Sequence, residues 1–164
     1  MATGTVLLSI LGAVPDGTNP PELKFSTSRP YLAFDASTDE IVYWTFRLPA
    51  NYASSPVLRI EWGGSASVTT SHTVMWGCEV MASTGDTDGA LDSDSYDTIN
   101  TTTDDILGTT AKRHQSASIT LTNFDSGAAG DYVALKFRRD ANDAADDLNE
   151  DAWLWAVALE YTTS

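Results

Sequence analysis

The sequence predicts an all-β domain, an antiparallel sandwich or barrel of about eight strands behind an extended N-terminal arm. Three observations carry this. Apolar and polar residues alternate with a period of two in six separate runs. Short segments rich in Gly, Pro, Asn, Asp and Ser divide the runs. No segment of helical length carries an apolar stripe, and the best helical candidate, Asn142 to Glu150, is short and almost wholly polar.

Taken in order, Val6 to Val14 is apolar and Leu23 to Ser26 reads as a further extended piece, both within an arm expected over residues 1–29. The domain proper is expected over 30–164. Ile41 to Leu48 puts Val42, Trp44, Phe46 and Leu48 on one face, and Val57 to Trp62 does the same with Leu58, Ile60 and Trp62. Thr73 to Met81 turns Val74, Trp76, Cys78 and Val80 inward and leaves Glu79 outside. Ala117, Ile119 and Leu121 alternate with Ser118 and Thr120; Val133, Leu135 and Phe137 alternate with Lys136 and Arg138. The last run, Trp153 to Thr162, places Trp153, Trp155, Val157, Leu159 and Tyr161 on one face. By this parity all five tryptophans read as core or inter-subunit filling, and Trp44 and Trp76 are expected in the core with Phe46, Ile60, Ile119, Leu135, Phe137 and Val157.

A chain of 164 residues buries roughly 70% of its unfolded surface, so its core needs no disulfide or metal. With 23 acids against 9 bases the formal charge is −14, which repels both a phosphate backbone and an anionic bilayer. No nucleic-acid or membrane partner is therefore expected. Val6 to Val14 has no basic residue before it and is halted by Pro15-Asp16-Gly17, so it reads as neither a secretory signal nor a membrane span.

No catalytic residue, cofactor or metal ligand is expected. His72 and His114 sit at strand starts outside any nucleophile motif, and Cys78 lies on the inward parity, where a thiol is inert. Glu61, Glu79 and Glu160 share the outward parity with Arg47, Arg59, Lys136 and Arg138, which suits cross-strand ion pairs better than a glycosidase pair. Asp86 to Asp105 holds seven aspartates and Asp140 to Asp151 six acids, neither with a base. Both are expected to be extended and solvated unless a cation or a basic partner neutralises them, and neither has the residue order of an EF-hand calcium loop.

Three stretches carry a family likeness. They are Phe34-Asp35-Ala36-Ser37-Thr38-Asp39-Glu40 leading into Phe46-Arg47-Leu48-Pro49 with Tyr52; Asp92-Ser93-Asp94-Ser95-Tyr96-Asp97; and Ala129-Gly130-Asp131-Tyr132-Val133 through Arg138-Arg139-Asp140-Ala141-Asn142-Asp143 to Trp153 and Glu160-Tyr161. Between Tyr31 and Thr162 the chain resembles jelly-roll virion proteins of tailed bacteriophages, including capsid decoration (cement) proteins. The resemblance implies a jelly-roll-like sandwich and a non-enzymatic structural role. It also implies a place on the capsid surface after synthesis in the host cytoplasm, the major capsid protein or another virion protein as partner, and a homo-oligomer, a trimer before a dimer. Attachment would then use the arm through Val6, Leu7, Leu8 and Ile10, adding as a strand to a neighbour, and the sheet-face bases Arg47, Arg59, Lys136 and Arg138. The alternative is a tail-fibre, baseplate or receptor- and carbohydrate-binding module, in which one or more tryptophans would stack on sugar.

Overall fold

A computed structural model describes residues 2–66, 70–106 and 114–164. Eleven strands run in chain order: β1 (Thr3–Leu8), β2 (Val14–Pro15), β3 (Glu22–Phe25), β4 (Pro30–Phe34), β5 (Glu40–Arg47), β6 (Tyr52–Gly64), β7 (His72–Ser83), β8 (Asn100–Ile106), β9 (Gln115–Thr120), β10 (Tyr132–Arg139) and β11 (Ala152–Thr163). They form two antiparallel sheets, β3-β4-β11-β6-β9 with β1 also paired to β11, and β2-β5-β10-β7-β8. The sandwich is thus as expected, and β4 to β11 are the eight principal strands. Among the described residues no helix is long and apolar enough to cross a membrane.

Period-2 alternation selects the core. Val42 and Trp44 of β5, Leu58, Ile60 and Trp62 of β6, and Val74, Trp76, Cys78 and Val80 of β7 meet between the sheets. So do Ile119 of β9, Leu135 and Phe137 of β10, and Val157 and Leu159 of β11, while Phe46 packs against this cluster partly buried. Trp76 is the hub. Its ring lies 5.9 Å from Trp62, 5.4 Å edge-on from Phe34 and 5.3 Å from a stacked Phe137. Cys78 is fully buried, and burial pushes its thiol pKa up, away from reactivity.

Three expectations are corrected here. First, the extended segment 3–29 is not set apart from the sandwich. β1 pairs with β11 from Thr3–Thr162 to Leu8–Val157, β2 pairs with β5, and β3 returns to pair with β4. The segment stitches both sheets, and Leu8 and Ile10 are buried in the common core. Of the residues expected to reach a partner, Val6, Leu7 and Leu8 lie in β1 and so have their backbone groups paired with β11, Ile10 is buried, and Leu7 keeps an exposed side chain.

Second, Asn100 to Ile106 is not solvated loop. Its alternation, with Asn100 and Ile106 buried, pairs it with β7. Third, the acidic stretch after Asp140 is held rather than extended. Arg139 continues the inward parity of Val133, Leu135 and Phe137 and is wholly buried at the end of the core. Its guanidinium donates to both oxygens of Asp146, at 2.9 and 2.7 Å, and to the carbonyls of Asp35, Leu148 and Glu150 at 2.6 to 3.1 Å. Like-charge repulsion along the loop is offset by that cation and by turns that spend carboxylates on backbone N–H groups, among them Thr73 to Asp147 and Met75 to Asp146.

Candidate functional site

β11 changes partner within the first sheet. Along one edge β11 pairs with β1 down to Val157, then with β4 from Leu154 to Ala152. Along the other edge Leu154 opposes Trp62 and Ala156 opposes Glu61, so Trp155 is the extra residue of a bulge. The bulge shifts the alternation by one. Ala152 and Leu154 face the core on one side of it, Val157 and Leu159 on the other. Trp153 and Trp155 therefore lie on the opposite face, in a separate cluster with Tyr31 and Ala33. Trp44, Trp62 and Trp76 thus fill the core between the sheets, Trp153 is buried in the second, smaller cluster, and Trp155 is partly buried against that cluster.

A cleft of about 750 Å³ opens over the bulge. The short 3-10 turn Ile10–Gly12 forms one wall, capped by Ser9, whose hydroxyl accepts from Leu11 N–H at 3.2 Å. The β3–β4 turn forms the other, closed by Ser26 N–H donating to Arg29 C=O at 2.9 Å. The floor carries Trp153, Trp155, Glu61 and His114. Trp153 is held by a stacked Tyr31, ring centroids 4.0 Å apart at 21°. Half-buried Trp155 sits 5.9 Å from the imidazole of His114. That imidazole contacts the Glu61 carboxylate, which also accepts from Ser116 Oγ at 2.6 Å. The serine hydroxyl thus points at the carboxylate, whereas a serine nucleophile would donate to the imidazole. The cleft combines a firmly backed aromatic platform with a carboxylate, an imidazole, an arginine and several hydroxyls.

The basic residues expected to bind a shell are not brought together. Arg59 lies on the first sheet, and its Nε donates to Glu160 at 2.8 Å. Arg47, Lys136 and Arg138 lie on the second sheet. Arg47 Nε donates to Gly130 C=O at 2.9 Å, Lys136 pairs with Glu79 at 2.9 Å, and Arg138 lies 3.5 Å from Asp140. Arg59 and Lys136 have cross-strand acidic neighbours, Arg138 lies beside Asp140 and Glu79, and Arg47 is bound to a backbone carbonyl. Glu61, Glu79 and Glu160 are likewise separated, Glu79 being on the other sheet. Among the described residues no group of His, Cys, Asp or Glu side chains is arranged to hold a metal ion.

Neither a protein-family model nor a curated protein sequence matches the chain. Solved structures do match in fold. The chain is similar to part of an isomalto-dextranase from Arthrobacter globiformis T6 solved with panose, with TM-score 0.52 and 14% identity over 96% of this chain and 23% of that one. It is also similar to a CBM35 from Cellvibrio japonicus Abf62, with TM-score 0.45 and 9% identity over 98% and 99%. A third is the mannan-recognising module TmCBM27, with TM-score 0.43 and 11% identity over 97% and 89%. What these share with the chain is the jelly-roll sandwich of two antiparallel sheets.

Proposed function

We propose that this protein is a non-catalytic carbohydrate-binding module whose cleft over the β11 bulge stacks a sugar ring on Trp155. The observation that carries the reading is the bulge itself, which takes an indole out of the core phase and sets it among polar groups. A pyranose presents an apolar C–H face and a rim of hydroxyls. An aromatic platform ringed by Glu61, His114, Arg29 and serines answers both halves. The isomalto-dextranase that shares the fold was solved with panose, which fits the same ligand chemistry. The resemblance to virion proteins points to a shell partner instead. The glycan reading is favoured here because β1 is paired within the chain and Arg59, Lys136 and Arg138 have acidic partners in cis. A glycan-binding module of a tail fibre would satisfy the resemblance and the cleft together.

Calorimetric titration with neutral gluco-, manno-, xylo- and galacto-oligosaccharides tests the proposal. At least one series is expected to bind, and Trp155→Ala is expected to weaken it by about tenfold or more, the equivalent of 1.4 kcal/mol. Trp155 lies outside the main core, so circular dichroism of the variant should match the parent. Unchanged affinity in a folded Trp155→Ala protein would overturn the reading.

A further inference from the structure

The second sheet carries another aromatic hollow, on the opposite side of the molecule. Its outward residues form a grid across three strands. Arg47, Tyr132 and Ser83 make one row, Thr45, Ala134 and Met81 the next, and Tyr43, Lys136 and Glu79 the third. The middle row is short at Thr45 and Ala134, so a groove of about 550 Å³ runs between the tyrosine rows. The segment before β8 closes one end. There Asp97 N–H donates to Val80 C=O at 2.8 Å and fixes Tyr96, whose ring lies 6.4 Å from Tyr43. Tyr43 is oriented in turn by donating its hydroxyl to Asp16 at 3.1 Å, and Lys136 Nζ stands 5.8 Å from the Tyr96 ring. Tyr132 is 38% exposed. On the rim Asp92 accepts no hydrogen bond among the described residues, and Asp94 accepts one, from Ser95 N–H.

Three phenol rings, Tyr43, Tyr96 and Tyr132, around a floor of Thr45, Ala134 and Met81, with Asp92 and Asp94 at the edge, select a particular ligand chemistry. The rings offer flat apolar faces and the aspartates accept from hydroxyls. A polyanion is disfavoured by these carboxylates and by the overall charge of −14. We propose that this groove is a second, independent site for a neutral oligosaccharide, so that one molecule holds two glycan strands on opposite faces. The thickness of two sheets separates the sites, and sheets pack about 10 Å apart, so a single short strand cannot occupy both. The consequence is bridging of neighbouring chains, in which a weak second contact raises retention through effective concentration.

The test is calorimetric titration with linear gluco-, manno- and xylo-hexasaccharides of wild type, Trp155→Ala, Thr45→Lys, Tyr132→Ala and the double variant Trp155→Ala/Thr45→Lys. Thr45 is exposed on the groove floor, so lysine there blocks the hollow without touching the core. We expect two sites per wild-type molecule, residual binding in Trp155→Ala, and loss of that residue by about tenfold or more in the double variant. A single wild-type site abolished by Trp155→Ala alone would overturn this second site and leave the cleft standing. Binding abolished by Thr45→Lys and Tyr132→Ala but indifferent to Trp155→Ala would do the reverse. Oligosaccharide binding unaffected by both groove variants overturns the second site.

Discussion

Arg139→Ala is expected to be the most damaging single substitution in the chain. The guanidinium is wholly buried with a bidentate carboxylate partner, Asp146, that is 1% exposed, and it binds carbonyls from the β4 end and from the 140–151 loop. Removing it leaves Asp146 as an uncompensated buried charge and orphans those carbonyls. Breaking such a pair from one side costs about 3–5 kcal/mol. In a domain of this size, that lowers the melting temperature by on the order of 10 °C. Arg139→Lys should recover little, because an ammonium lacks the planar fork that reaches Asp146 and the carbonyls together. Urea unfolding followed by circular dichroism checks both. A midpoint for Arg139→Ala equal to the parent's would contradict this account of the loop.

The next largest effect is expected at Trp76, and the two substitutions there should differ sharply. Trp76→Ala empties the point where both sheets interlock, with Phe34, Trp62 and Phe137 all losing a ring partner. Truncations of this kind cost about 3–5 kcal/mol. Trp76→Phe keeps an aromatic ring and also removes an indole N–H that is buried with no hydrogen-bond partner among the described residues. An unsatisfied buried donor costs about 1–3 kcal/mol, which offsets much of the lost contact area. Trp76→Phe should therefore unfold within about 1 kcal/mol of the parent by the same urea measurement. A phenylalanine variant as unstable as the alanine variant would show that shape, not the orphan donor, governs the site.

These particulars also show where the sequence was readable. Period-2 alternation identified β5, β6, β7, β9 and β10 and nearly all of their core residues, because the runs that were read, such as Val57 to Trp62 of β6, keep one phase. It failed at β11, where a bulge changes the phase in mid-strand. The trace in the sequence is the odd spacing of Leu154 and Val157, with Trp153 and Trp155 belonging to the other face. The paired N-terminal segment was missed for a different reason. An edge strand is specified by which edge lies within reach, and that is a property of the assembled sheet. Arg139 was overlooked although it sits on the inward parity of β10, since a charged residue on a core face becomes intelligible only once Asp146 and the carbonyls are brought around it. The cleft inherits the first two difficulties, being built over the bulge and beside the N-terminal turn.

The five tryptophans supply the most direct test of the central claim, that Trp155 stacks a sugar. Each contributes one indole N–H signal to a nitrogen-edited NMR spectrum, and three of them report from inside the core. Assigned spectra should be recorded while adding the neutral oligosaccharide that binds best in the calorimetric survey. The Trp155 indole signal should shift progressively to saturation, with Trp153 following more weakly, while Trp62 and Trp76 stay fixed because both are wholly buried. Saturable binding that leaves the Trp155 signal unmoved would contradict the claim.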